Sequence, residues 1–351
     1  MDAKKRSPRV YLDLTDVILH GTWYRTPGGI ARVQFEIAAA LLRENPAAIA
    51  FSLDNRGFRD LRPLFEAAGF HSDAFFEAVH KRFFFRREYP RLSAPRHLWQ
   101  LARGHAHASL ERLRTRPLKI GQGDTLLIGG CFWLLQSTMN LIPRACAQGA
   151  QVIVFFHDLI PFTHPEFTGN DFAAEYGKVL CAPAHFIVTT PFNRAELERL
   201  RTRLCSKADA LSASVVPLAD EFPGAKRNAR PALPGPRLAK LVGHSFVLSV
   251  GTIEIRKNHA ALMSAWEDLA GELKDELPTL VISGRRGWKA DETLQRLDET
   301  QRTDGQIVFI EAPSEDELRW LYASCLFTVL PSLFEGWGLP LGESYWFGKT
   351  C

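Results

Sequence analysis

The chain has 351 residues, 46% hydrophobic and 23% charged, with a formal net charge of +4. That is the profile of a water-compatible globular protein long enough for two domains. No run is long and apolar enough to span a bilayer. The polar N-terminus lacks the apolar core of a signal peptide, and so small a net charge makes no case for nucleic acid. The six cysteines, at 131, 146, 181, 205, 325 and 351, show neither a Cys-x-x-Cys pair nor a zinc spacing. They read as reduced, mostly buried thiols of a cytosolic protein.

In chain order, residues 10–15 read as a first strand. Gly28 and Gly29 then open a segment with apolar Ile30, Val33, Ile37 and Leu41, which is helical spacing. Strand, glycine loop and helix N-terminus together form a layout that receives anions. Further strands are expected at 125–128, 151–156, 185–189 and 214–216, with helices around 136–148 and 193–203. This alternation predicts a mostly parallel sheet covered on both faces. The strand at 151–156 ends in His157 and Asp158, at the edge where such sheets bind ligands. The plain alternative is a core histidine, with Asp158 capping a turn.

Between 219 and 245 the composition shifts to prolines mixed with glycine and basic residues, which reads as a linker. A second strand-helix series follows, with strands at 246–250, 280–283, 307–310 and 327–330. Ser314 and Glu317 make a capping box before Leu318, Leu321 and Tyr322. The expected division is 1–218, an N-terminal Rossmann-like domain; 219–245, a linker; and 246–351, a C-terminal Rossmann-like domain. The second domain reads as incomplete, because a doubly wound half commonly has about six strands.

Two features of this half carry chemistry. After the strand at 246–250 comes Val250-Gly-Thr-Ile-Glu-Ile-Arg-Lys-Asn-His259, in which Asn258 can cap the next helix and Arg256 and Lys257 precede its start. Cations there would neutralise charge building on a departing diphosphate; the bland alternative is a solvated Arg-Lys pair. After the strand at 327–330 comes Pro331-Ser-Leu-Phe-Glu-Gly-Trp-Gly-Leu-Pro-Leu-Gly-Glu343. Glu335 and Glu343 flank a glycine loop that leads into a helix, with Pro340 in its first turn and Gly348 at its end. Two carboxylates beside an anion-binding helix start would hold hydroxyls. A ligand with both phosphates and hydroxyls is a sugar nucleotide.

This string resembles the signature of glycosyltransferase family 4, the retaining GT-B enzymes of the glycosyl transferases group 1. In that family a Glu, seven residues and a second Glu stand in a Pro-Ser-Leu-x-Glu-Gly-x-Gly-Leu-Pro frame. The resemblance implies an α/β GT-B fold: two Rossmann-like doubly wound domains facing a cleft, with 1–218 as the acceptor domain and 246–351 as the nucleotide-sugar-binding domain. It also implies transfer of a sugar from a nucleotide-sugar donor to a glycan or lipid-linked acceptor, in bacterial surface polysaccharide assembly. The enzyme would be a hexosyltransferase, with a mannosyltransferase-like activity as one version of that reading.

Carried over residue by residue, Lys257 matches the family's diphosphate lysine. Thr252 replaces the family's arginine, and Arg256 could substitute for it. Glu335 would orient the donor sugar beside Gly336, Trp337, Gly338 and Leu339, and Glu343 would hold the ribose. His157 would touch sugar or acceptor. Gly28 and Gly29 would let backbone approach the diphosphate or acceptor, and Gly284 and Arg285 would lie near the nucleotide. No metal and no cofactor are expected. In the family the signature is followed by another strand and further helices, so the chain reads as shortened near residue 351.

Residues 80–119 carry eleven Lys or Arg against two Glu, interleaved with aromatics. Such a segment can rest on an anionic membrane surface; the plain alternative is a basic insertion. The expected location is therefore cytoplasmic, peripheral on the inner face of the cytoplasmic membrane if that contact forms. Nucleic acid is not an expected partner, since no recognised motif accompanies the charge. The rival from a different class is a non-catalytic nucleotide-sugar-binding or regulatory protein, motivated by Thr252.

Overall fold

The structure is a computed structural model that describes residues 7–54, 57–83, 117–168, 173–205, 211–228, 234–300 and 306–351. Most of the basic segment at 80–119 lies outside them. The chain divides into two compact units. The first takes Met1–His157 and Phe172–Val216; the second takes Asp158–Asp171 and Pro217–Cys351.

The first unit is built on strands β1 (Val10–Asp13), β2 (Ala48–Asp54), β3 (Gly57–Asp60), β4 (Thr125–Ile128), β5 (Gln151–Phe156), β6 (His185–Val188) and β7 (Ala213–Val215). They form one sheet in the order β3-β2-β1-β4-β5-β6-β7. All neighbours are parallel except β2 and β3, which form an antiparallel hairpin at one edge. From β1 the chain goes outward through β2 and β3, then returns to lay β4 on the other side of β1. The crevice at the C-terminal ends of β1 and β4 is therefore the topological switch point, where open α/β sheets hold ligands.

The glycine-led segment is the helix Gly29–Glu44, with Phe35, Ala38, Ala39 and Leu42 buried. Its Phe35 stacks on Phe65 with ring centroids 5.1 Å apart, and Phe65 lies 4.5 Å from Phe75. These aromatic rings, with Phe76 and Val79, form a core cluster of this unit.

In the second unit, β8 (Phe246–Val250), β9 (Thr279–Gly284) and β10 (Ile307–Glu311) make a parallel sheet in the order β10-β9-β8. Alternate residues face two cores. Leu248, Val281 and Ile310 join Tyr322 and Phe347 on one side; Val247, Leu280 and Ile282 join Met263 and Leu297 on the other. That two-sided burial is why these strands read as unbroken apolar runs. Residues 219–245 contribute Phe222, Ala225, Leu238 and Leu241 to the first of these cores.

Three expectations need correction. Residues 327–330 make only an isolated parallel bridge, Leu248 to Thr328. They still follow β8, through Leu326 N to Phe246 O at 2.9 Å and Val329 N to Leu248 O at 2.8 Å. On the far side the Thr328 amide donates to Thr350 O, so no ladder develops. Asn258 stands at the start of the helix His259–Leu273 but its side chain does not cap it. It sits in the left-handed region at φ 55°, and its amide donates to Pro331 O at 3.3 Å. The cysteines are not all reduced: Cys181 and Cys205 form a disulfide, with Cα atoms 5.5 Å apart. They close the ends of the helices Ala173–Leu180 and Pro191–Leu204, a proximity that sequence spacing does not reveal.

Candidate functional site

In the second unit the two chemistry-bearing loops are stitched together. The turn Ile255–Lys257 follows β8. Its Arg256 carbonyl accepts from the Leu333 amide at 2.9 Å, while Asn258 reaches Pro331. This backbone lacing brings the Arg256 and Lys257 side chains to Glu335. Arg256 Nη1 donates to Glu335 Oε2 at 2.9 Å and to Phe334 O at 2.6 Å; its Nη2 donates to Glu254 Oε1 at 2.6 Å. Lys257 Nζ bonds Glu335 Oε1. The carboxylate of Glu335 thus sits between two cations, one on each oxygen.

These groups are largely removed from water, with side-chain exposures of 15% for Arg256, 11% for Lys257 and 22% for Glu335. Burial by itself would raise the Glu335 carboxyl, but the charges of Lys257 and Arg256 outweigh it and hold the group below its ordinary value. Glu254 is 3% exposed. Burial wins there and its pKa is raised, although Arg256 and Lys257 pull it down. Asp158, in the Asp158–Asp171 segment of the same unit, is also raised by burial. Its Oδ1 accepts from the Ile160 amide at 3.1 Å, the turn-capping role open to it from sequence, and it feels the charges of Arg256, Glu335 and Lys257. Glu254 was not singled out from sequence, and Asp158 was read there only beside His157 at the ligand edge or as a turn cap. Glu254 stands two positions before Arg256, and its place against the guanidinium was the available signal.

The glycines have structural work here. A Cβ on Gly284 would lie 1.8 Å from Gly251 O, and one on Gly287 would lie 2.6 Å from Ile253 O. Both loops close on one another through Gly251 N to Ser283 O at 3.0 Å and Ile253 N to Arg285 O at 2.7 Å. Thr252 lies in this packing, its Cγ2 2.7 Å from where a Gly287 Cβ would be. So Thr252, Gly284 and Arg285 are brought together beside the cluster, and Arg256, not residue 252, supplies the second cation to Glu335. Gly338 has φ 85° and precedes the helix Leu339–Trp346, a conformation that favours glycine. Gly336, Trp337 and Leu339 are partly exposed on the same turn. Glu343 lies one turn into that helix and is 3% exposed.

In the first unit, His157 follows β5 and its Nε2 lies 2.6 Å from Gly129 O. A carbonyl only accepts, so Nε2 carries the proton. Burial lowers the ring's pKa to about 4. His157 is therefore neutral near pH 7, with Nδ1 as an acceptor, and is not a proton donor to a substrate from that nitrogen. Gly28 and Gly29 start the helix Gly29–Glu44, and a Cβ on Gly29 would meet nothing within 4 Å. Among the described residues no group of three or more His, Cys, Asp or Glu could hold a metal ion.

Residues 237–351 match the family described as glycosyl transferases group 1. The resemblance expected from the glutamate motif is there. Among curated proteins, O-antigen chain mannosyltransferase B of Escherichia coli is 31% identical over 202 residues, 55% of this chain and 50% of that protein. The serotype-specific mannosyltransferase WbdA of Escherichia coli is 34% identical over 107 residues, 30% of this chain and 13% of that protein. The chain therefore spans half the length of the first and a small part of the second. Among solved structures, Anabaena Alr3699/HepE in complex with UDP and glucose aligns with a TM-score of 0.56 at 15% identity, over 98% of this chain and 79% of that one. Sucrose-phosphate synthase from Thermosynechococcus elongatus aligns with a TM-score of 0.54 at 15% identity, over 98% and 80%. The fold is that of the GT-B glycosyltransferases.

Proposed function

We propose that this chain acts in transferring a hexose, with mannose favoured by the names of its curated relatives, from a nucleotide-sugar donor to a glycan or lipid-linked acceptor. Bacterial polysaccharide assembly on the cytoplasmic side of the membrane is the setting that fits those relatives. Retention of the anomeric configuration belongs to the proposal. The observation that carries it is the pairing of Arg256 and Lys257 with the Glu335 carboxylate, inside the region that matches the group 1 family.

In the resting protein Glu335 neutralises the two cations. A donor diphosphate placed at the turn Ile255–Lys257 would take over part of that charge, and the cations would stabilise the departing nucleotide. Glu335, released from part of its pairing, would accept hydrogen bonds from donor hydroxyls. Gly336, Trp337, Gly338 and Leu339 would offer backbone to the donor, and Glu343 would hold the ribose. Thr252, Gly284 and Arg285 would border the nucleotide, and His157 would accept a hydroxyl hydrogen bond through Nδ1.

Thr252 in place of the expected arginine favours a second reading, a non-catalytic nucleotide-sugar-binding or regulatory protein. One experiment separates the two. The purified chain is screened by thermal shift against UDP, GDP and ADP and their mannose and glucose conjugates. It is then assayed for sugar transfer to a mannose oligosaccharide. A shift with transfer supports the enzyme; a shift without donor turnover supports the binding protein; neither would reject both.

A further inference from the structure

Ahead of Glu335 in the second unit stands Phe334, whose backbone and ring are held separately. Its carbonyl accepts from Arg256 Nη1 at 2.6 Å, and the amide of Leu333 before it donates to Arg256 O at 2.9 Å. Its ring lies against His164, with ring centroids 4.2 Å apart and planes at 38°. His164 in turn stacks on Phe167 at 5.5 Å and 9°. The Thr163 hydroxyl gives its one proton to Leu159 O at 3.2 Å, so at 2.9 Å it accepts from His164 Nδ1, and the plane of the imidazole is set. The turn that follows the ring, Pro165–Phe167, is pinned as well. Trp288 Nε1 donates to Phe167 O and Lys289 Nζ to Glu166 O, both at 2.8 Å.

The ring of His164 is therefore a fixed surface against the residue next to the paired carboxylate. A rotation about the Phe334 backbone would move its carbonyl off Arg256 and swing Glu335 with it. The ring contact opposes that rotation, and a misplacement of about 1 Å at a reacting centre can cost about a hundredfold in rate. We infer that His164 is a positioning residue, whose ring fixes Phe334 and through it the seat of the Glu335 carboxylate between Arg256 and Lys257. The contact is ring on ring, and no imidazole proton enters it. The charged groups that act on that carboxylate include Arg256, Lys257, Glu254 and Asp158, and a change at 164 removes none of them. The consequence for sugar transfer rests on the transferase reading; the effect on Glu335 itself does not.

The test follows Glu335 in the full chain by carboxyl NMR of isotope-labelled glutamate, its signal identified by its absence in Glu335→Gln. Wild-type Glu335 should titrate below the ordinary carboxylate value. His164→Ala should move that titration up, because the carboxylate loses its seat between the two cations. His164→Phe, which keeps a ring and removes the imidazole nitrogens, should restore it. Turnover of GDP-mannose should follow: kcat at least about tenfold lower in His164→Ala with KM little changed, as for a group that acts on the transition state, and near wild type in His164→Phe. Phe334→Leu, which removes the ring on the other side, should move the titration as His164→Ala does, and it serves where His164→Ala does not fold. An unchanged Glu335 titration in folded His164→Ala or Phe334→Leu overturns the proposal. So does a change that persists in His164→Phe, which would place the effect in the imidazole. Titrations that move as expected, in a chain that turns over neither GDP-mannose nor any other conjugate of the screen, would keep the positioning role and sink the transferase reading. Transfer by wild type with a Glu335 titration indifferent to residue 164 would do the reverse.

Discussion

The two units carry polar clusters beyond the C-terminal ends of parallel strands, yet the clusters are opposite in kind. In the second unit Arg256 and Lys257 converge on Glu335, and Glu254 steadies the guanidinium. Charge there is abundant, paired and partly buried. In the first unit Asp16, Gln34 and His157 present acceptors, and among the described residues no cation bonds to them. Paired cations can balance a phosphate, whereas a set of acceptors repels one. Strand ends supply the place; only the side chains decide the ligand.

The largest expected effect comes from breaking the charged cluster. Glu335→Ala should lower sugar transfer at least about tenfold, or about 1.4 kcal/mol of transition-state stabilisation. It should also cost about 3 kcal/mol of stability, because two adjacent cations lose their shared partner. Lys257→Ala should lower transfer by at least as much. Near-normal turnover by folded Lys257→Ala would remove the cation from the mechanism. Next comes the disulfide, which closes a sequence separation of 24 residues in the first unit. Cys205→Ser should lose about 2–3 kcal/mol, and reductant should bring wild type to the same melting point. A variant melting as wild type does in oxidising buffer would show that the bond does not form in solution.

A smaller effect separates the units by pH. Asp16 has a raised pKa of about 6 against a usual 3.8, so its contribution to stability is present at low pH and is lost as pH rises through about 6. Glu335 has a lowered pKa, so its contribution is present above the usual carboxylate value and is lost as pH falls. Measured as wild type minus Asp16→Asn, the melting difference should move in favour of wild type between pH 7 and pH 4. Measured against Glu335→Gln, it should move the other way on acidification below about pH 4.5. Parallel slopes would mean the two environments are not opposed. The smallest effect is the expected insensitivity of transfer to chelator, since cations and helix starts carry the phosphate charge. Loss in chelator with recovery on magnesium or manganese would overturn that assignment.

The second unit was the more legible of the two. Its strands are apolar on both faces and its motif residues lie close in sequence, so Lys257 and Glu335 could be paired by resemblance and Ser314 with Glu317 by spacing. The first unit was harder to read. Asp16 resembles any acidic residue in the first turn of a helix, and what buries it is the Cys131 amide, 115 positions away. Gln34 looked like an ordinary polar position in the helix opened by Gly28 and Gly29. The edge hairpin β2 and β3 was missed because its side chains give no clean alternation. Arg286 is held by Glu311 at 3.0 Å and by Asp298, a pairing that only the tertiary fold sets.

The second unit is not continuous in the chain. Its segment Asp158–Asp171 comes from between two strands of the first unit. There His164 packs on Phe334 with ring centroids 4.2 Å apart, and the carbonyls of Phe167 and Glu166 accept from Trp288 and Lys289. Phe167 and Trp288 are 121 positions apart. At ribosomal speed, about 5–20 residues per second, the segment waits on the order of ten seconds for its partners to be made. During that interval the first unit must order itself around a stretch that belongs elsewhere. No single cut separates the two units with their contacts whole, so a fragment beginning at Pro217 would leave Phe334 uncovered and two donors without their carbonyls.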